Sequence, residues 1–247
     1  MTEDAELSAR VALLWGQRES PRRGPKSTLT LEDITKAAVK VADTEGLGAV
    51  SMARVAAELG YATMALYRHV RSKDDLLLLM SDAAVEAPPD LGGETGWRAK
   101  LGLWARGVLA ALRRHPWYAH IPITGPPIGP NNLAWFDSAL GALADTGLGD
   151  GEKIAAVMSL LTIVHGEVRL SVDLSSGFAE NPEAFSQYGA ALAAIVDPRR
   201  FPALAEVVAA GAFEPSEDVT ADIEADFEFG LTIFLDGLAA HIDRRTS

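Results

Sequence analysis

The sequence predicts an all-α protein: a small N-terminal three-helix unit followed by a larger helical body. Three observations predict it. Apolar residues recur at spacings of three and four between capping residues. Two short helical stretches meet at a turn containing Gly60, and the charge divides, basic over 18–73 and acidic elsewhere.

The first helix lies in "TLTLEDITKAAVKVADTEGLG". Thr30 and Asp33 are spaced as a capping box, Leu29 and Ile34 as a hydrophobic staple, and Gly46 follows the last periodic residue. Ile34, Ala37, Ala38, Val41 and Ala42 then form one apolar stripe. "SMARVAAELG" gives a second helix, opened by Ser51 and closed at Gly60, with Met52, Val55, Ala56 and Leu59 on one face. Thr63 is expected to cap the third, "MALYRHV", in which Leu66 and Val70 face inward while Ala62, Ala65, Arg68 and His69 lie toward the opposite side. "SKDD", with Ser72 and Asp75 as another box, opens a fourth helix through "LLLLMSDAAV".

The second and third helices, joined by a turn of about four residues, make a helix-turn-helix. The turn and third helix have an unusual composition: no Asp or Glu occurs from 60 through 73, where Tyr61, Tyr67, Arg68, His69, Arg71 and Lys73 gather in a chain of formal net charge −12. A helix entering the major groove of DNA needs donors and small side chains on its free face and cations near the phosphates. Ten basic residues against six acidic ones make 18–73 net +4, and the remainder −16. Such asymmetry draws a polyanion to one part of the molecule.

"SMARVAAELGYATMALYRHVRSKDDLL", preceded by "ADTEGLGAV", resembles the DNA-binding domain of the TetR (tetracycline repressor) family of bacterial transcription regulators over about residues 29–80. The resemblance implies that Ala62, Thr63, Met64, Ala65 and Arg68 contact bases and that Tyr67 and His69 meet phosphates. It likewise implies that Lys73 is a phosphate-binding lysine and that Ser51 brings a helix N-terminus to another phosphate. The family often has Thr or Arg early in the second helix, where this chain has Met52 and Ala53. Arg54 is the candidate substitute, and that contact stays open.

Residues 1–28 are expected to be a flexible basic arm, 29–80 the helix-turn-helix domain and 81–247 a helical ligand-binding and dimerisation domain. In the arm, Arg22, Arg23 and Lys26 can reach into a minor groove, or remain a solvated linker. In the body, "WRAKLGLWARGVLAALRR" places Leu101, Trp104, Val108 and Leu112 on one side, and "IPITGPPIGPNN" reads as loop. Further helices are expected at "LAWFDSALGALADTG", "GEKIAAVMSLLTIVHGEVRLSV", "NPEAFSQYGAALAAIV" and "DIEADFEFGLTIFLDGLAAHI". Phe227, Leu231, Phe234 and Leu238 share a stripe in the last. The resemblance implies that this region pairs with its two-fold mate in a four-helix bundle, making a homodimer. Trp104, Trp117, Trp135 and Phe136, with His165 and Arg169 as polar anchors, are candidates to line a pocket for a small-molecule effector; the alternative is plain core.

The chain has no cysteine, which excludes a disulfide framework, a thiolate zinc site and a cysteine nucleophile, and makes a reducing cytoplasm the expected location. "MTEDAELSARVALLW" is acidic where a secretory signal is positive. The most apolar run, 154–164, is about half of the roughly 20 residues that cross a bilayer, so a buried helix and no membrane partner are expected. H-E-x-x-H, G-x-S-x-G and the P-loop are missing from the sequence, and His165 and Glu167, two apart, point to nearly opposite sides of a helix. No catalytic residue, metal site or cofactor is expected. The expected function is a homodimeric repressor that binds a palindromic DNA operator and is released by a small hydrophobic ligand. The competing reading is a helical small-molecule-binding protein or enzyme whose helix-turn-helix serves only as packing.

Overall fold

A computed structural model describes residues 3–16, 29–122, 126–180, 187–214 and 219–246. They are helical, with no strand among the described residues. The head is built from α1 (Glu3–Leu14), α2 (Leu31–Glu45), a 3-10 turn (Leu47–Ala49), α3 (Met52–Leu59), α4 (Thr63–Leu66) and α5 (Lys73–Val85). The body continues with α6 (Trp97–Arg114), a 3-10 segment (Pro116–His120), α7 (Pro130–Ala142), α8 (Asp150–Glu180), α9 (Tyr188–Ile195), α10 (Pro202–Ala209) and α11 (Val219–Thr246).

The caps form as the spacing predicts. Thr30 Oγ1 accepts from the Asp33 amide at 3.0 Å and Asp33 Oδ2 accepts from the Thr30 amide at 3.0 Å, closing the box on α2. Ser51 Oγ accepts from the Arg54 amide at 3.1 Å and Ser72 Oγ from the Asp75 amide at 3.0 Å. Gly60 ends α3 at φ +73°, a left-handed conformation that a Cβ strains. Thr63 does not cap its helix. Ala62 stands at that position in extended conformation without a side-chain bond, and Thr63 is the first helical residue.

Two apolar clusters hold the chain together. The head cluster joins Ile34, Ala38, Val41, Val50, Val55, Leu66, Val70, Leu76 and Met80; the body cluster joins Leu101, Trp104, Leu112, Trp135, Leu143, Leu160, Val164, Phe227 and Leu231. α5 serves both, since Leu76, Met80 and Ala84 belong to the first and Val85 to the second. A boundary at residue 80 therefore falls inside one continuous helix.

Several expectations are corrected. Residues 3–14, expected in a flexible arm, form α1, whose Leu13 is buried in the head; beyond it, Trp15 Nε1 donates to the Ile128 carbonyl at 3.0 Å. Arg22, Arg23 and Lys26 lie outside the described residues. The loop expected over 121–132 gives way to helix at Pro130, because proline suits the first helical position and Asp82 caps the turn from α5. α8 runs 31 residues, about 46 Å at 1.5 Å per residue, far beyond the apolar run. It is not simply buried: Val157, Leu160, Val164 and Val168 face the core while Ile154, Met158, Leu170 and Leu174 are exposed. α8 is long and apolar enough by composition to cross a membrane, and only 22% of its most apolar window is buried. α10 lies where the sequence pattern predicts no helix; it packs with α9, and neither helix has a buried residue. The first part of the helix expected at 181–196 lies outside the described residues.

Candidate nucleic-acid interface

Leu66 and Val70 are fully buried, one turn apart, and they fix the orientation of everything between them. The amides of His69 and Val70 both donate to the Leu66 carbonyl at 2.9 Å, tightening the end of α4. Side chains on the other face then point outward: Met64 is 71% and Tyr67 45% exposed, and Ala62 and Arg68 are exposed with them. Thr63, Ala65 and His69 are half-buried, Ala65 packing partly on the head core. Lys73 is exposed on the first turn of α5, and Ser51 is exposed with its hydroxyl committed to capping α3.

The electrostatics of this face follow from where the neighbouring carboxylates are spent. Glu58 pairs with Lys40 at 2.6 Å and with Arg54 at 2.9 Å, and Glu45 pairs with Arg54 at 2.5 Å. The hydrogen bond from Lys40, then that from Arg54, holds the Glu58 carboxyl below its ordinary value. The Thr30 hydroxyl does the same for Asp33. Arg68, Arg71 and Lys73 have no carboxylate within ion-pair distance among the described residues. Arg68, Arg71 and Lys73 thus present cations to solvent, with exposed Asp74 beside Lys73, and exposed cations are what phosphate contacts require. Arg54 is different: both of its carboxylate partners are within the head, so its Nε and Nη2 brace α2 against α3.

Two family models match the chain: "Bacterial regulatory proteins, tetR family" over residues 34–80 and "Tetracyclin repressor-like, C-terminal domain" over 88–242. The chain belongs to the TetR family. The HTH-type transcriptional repressor DrrR1 of Streptomyces coeruleorubidus is 36% identical, with 97% of this chain and 88% of that protein covered. An HTH-type transcriptional regulator of Saccharopolyspora erythraea is 33% identical over 92% of this chain and 91% of its own length. Among solved structures, Streptomyces coelicolor ActR in complex with actinorhodin has a TM-score of 0.73 at 27% identity, covering 87% of this chain and 98% of that one. The chain is thus a TetR-family DNA-binding transcription regulator, and the family match together with the exposure of Met64, Tyr67 and Arg68 disfavours the reading in which the helix-turn-helix is only packing.

The candidates for a TetR-type effector pocket separate on structural grounds. Trp104 is fully buried, donates from Nε1 to the Trp135 carbonyl at 2.8 Å and meets the Trp135 ring edge-on at 6.0 Å. Trp135 in turn donates to the Val85 carbonyl at 3.0 Å. Both indoles are core, with their polar atoms spent. Trp117 belongs to the other cluster altogether, buried against the head with Nε1 on Asp43 Oδ1 at 2.6 Å. Phe136 is half-buried at the edge of the body core, and Arg169 is exposed and faces Asp173 at 3.7 Å one turn on. His165 stacks on Tyr118 at 6.0 Å and 11°. Its Nδ1 lies 3.0 Å from the Leu161 carbonyl and must donate there, which makes Nε2 the acceptor. Burial holds this imidazole below its ordinary pKa, so it is neutral; burial pushes the Tyr118 phenol up to about 12.

The stripe expected to pair with a second copy packs largely inward. Phe227 and Leu231 are sealed in their own chain's core, with Phe234 and Leu238 packed partly against it. Phe227 and Leu231 therefore keep almost no surface for a partner, while half-buried Phe234 and Leu238 keep some. The surface α11 offers outward is Phe229, 70% exposed, and Ile233, 56%. Asp43, Asp82 and Tyr118, which tie head to body, escape a reading of local spacing because their partners lie 47 to 74 residues away.

Proposed function

We propose that this chain is a cytoplasmic, homodimeric repressor that holds a palindromic operator and is released by a small hydrophobic ligand received in the body. The observation that carries the reading is the geometry of α4 and the turn after it: Leu66 and Val70 buried, with Met64, Tyr67 and Arg68 directed outward beside Arg71 and Lys73, which have no ion-pair partner among the described residues. Dimerisation is supported by exposed apolar residues on the two long body helices, the pair Ile154 and Met158 and the pair Leu170 and Leu174 on α8, and Phe229 with Ile233 on α11. Two heads about one helical turn of DNA apart read a two-fold site. The complex of ActR with actinorhodin supports a body that accepts a ligand, and the name of DrrR1 supports repression. No enzymatic step, cofactor or membrane partner belongs to this reading, and the exposed apolar residues of α8 serve protein contact. Selection of bound duplexes from random DNA tests it. A palindromic motif whose affinity falls steeply with salt is expected; recovery of no enriched sequence, with binding indifferent to salt, sinks it.

A further inference from the structure

Two head carboxylates accept hydrogen bonds from the body, and they are held differently. Asp82, on α5, is buried. Its Oδ1 accepts from the amide and the Nδ2 of Asn132, both at 2.9 Å, and its Oδ2 from the Asn131 amide at 3.3 Å. Asn131 Nδ2 returns a bond to the Asp82 carbonyl at 3.0 Å. Gly129 makes room for this cap, since a Cβ there would stand 2.1 Å from Asp82 Oδ1. A buried carboxylate with this many donors is costly to unseat.

Asp43, near the end of α2, has a different setting. Its Oδ1 accepts from Trp117 Nε1 at 2.6 Å and from His115 Nδ1 at 2.7 Å, and its side chain keeps 34% of its surface exposed. Water can therefore replace these donors without leaving a buried charge. The segment that supplies them also touches the body, because Tyr118 stacks on His165 of α8. One short stretch, 115–118, thus fastens α2 of the head on one side and α8 on the other.

We propose that Asp43 is a positioning residue: a releasable latch onto His115 and Trp117 that, with Asp82 as fixed pivot, sets the angle at which the body presents the head to DNA. The inference rests on the palindromic reading above. Inserting one base pair between half-sites turns one of them by about 35° relative to the other. Heads held at one angle discriminate strongly against that change, and heads on an open latch tolerate it.

The test uses the full-length protein with Asp43→Ala and, separately, Trp117→Phe, which keeps a ring in the core and removes the donor. Duplexes carry the selected palindrome or the same half-sites with one or two base pairs inserted. Both variants are expected to keep affinity for the unaltered duplex within about threefold while their discrimination against altered spacing shrinks about tenfold. Equal weakening on every duplex, with the spacing ratio intact, means a merely structural role and overturns the latch. A second measurement needs no DNA. The chain has no cysteine, so labels at Ala57→Cys in the head and Ala144→Cys in the body, diluted with unlabelled chain, report the intrachain distance. Broadening in both variants supports the latch, and a distribution identical to the parent overturns it. If the parent binds no palindrome, the operator reading fails, and the distance distributions alone decide the latch.

Discussion

Arg54 and Glu45 are joined across the junction of α2 and α3, with Nη2 2.5 Å from Oε1 and Nε within 3.2 Å of both carboxylate oxygens. Glu58 takes the same Nη2 at 2.9 Å, so the guanidinium is engaged inside the head. Arg54→Ala is therefore expected to lower the melting temperature while leaving the salt dependence of operator binding unchanged. A lost phosphate contact would reduce the slope of log affinity against log salt by about 0.9. Titrating binding over several salt concentrations separates the two, and a reduced slope assigns Arg54 to the DNA.

Arg68 and Lys73 are expected to fail in different ways. Arg68→Ala should cost about 1–3 kcal/mol on the preferred operator and relax the choice at one base position in each half-site. Lys73→Ala should weaken all sequences alike and lower the salt slope by about 1. Competition between single-base operator variants reads both effects; a uniform loss from Arg68→Ala removes its role in base readout.

Trp104 is a core residue, and its truncation should show it. Trp104→Ala is expected to destabilise the protein by about 3–5 kcal/mol in denaturant unfolding, because it empties a fully enclosed site and strands the Trp135 carbonyl. A loss below about 1 kcal/mol would place the indole against open space instead.

His165 gives a pH dependence with a defined sign. Burial lowers its pKa in the folded chain, so the unfolded chain binds the proton more readily. Its contribution is fully present above the unfolded value of about 6.5 and is lost as pH falls toward the folded value. The lowered carboxyls Asp33, Glu58 and Glu228 add acid sensitivity only at lower pH, starting near ordinary carboxylate values. His165→Gln is expected to flatten the stability profile just below pH 6.5 and leave the more acidic limb in place. An unaltered profile in that window excludes His165 as its source.

On α11, Phe229 and Ile233 should behave opposite to Phe227. Ile233→Asp is expected to dissociate the dimer into folded monomers, seen as a halved mass in sedimentation equilibrium with helical content retained. Phe227→Asp, which buries a charge in the body core, is expected to unfold it. A folded dimer from Ile233→Asp moves the interface off this face.

Much of the head is written locally. The Thr30–Asp33 and Ser72–Asp75 pairs, the Ser51 cap and the Leu66–Val70 spacing are relations over three or four residues, which one turn of helix brings together whatever surrounds it. The body is less legible for the opposite reason. The stripe of Phe227, Leu231, Phe234 and Leu238 identified an inward face of α11, but periodicity does not say whether the neighbour is the same chain or another.

By itself the sequence determined that this protein is helical, where α2, α3 and α5 begin, and that Arg68 faces away from buried Leu66 and Val70, since each depends on backbone geometry within a turn. Only the tertiary structure decided that Arg54 is spent on Glu45 and Glu58, that Trp117 packs on the head and not in the body, and that Asp82 caps α7 from α5. Those partners meet through packing of separate helices, where the free energy of burial and of satisfying buried polar groups selects among neighbours that no local spacing distinguishes.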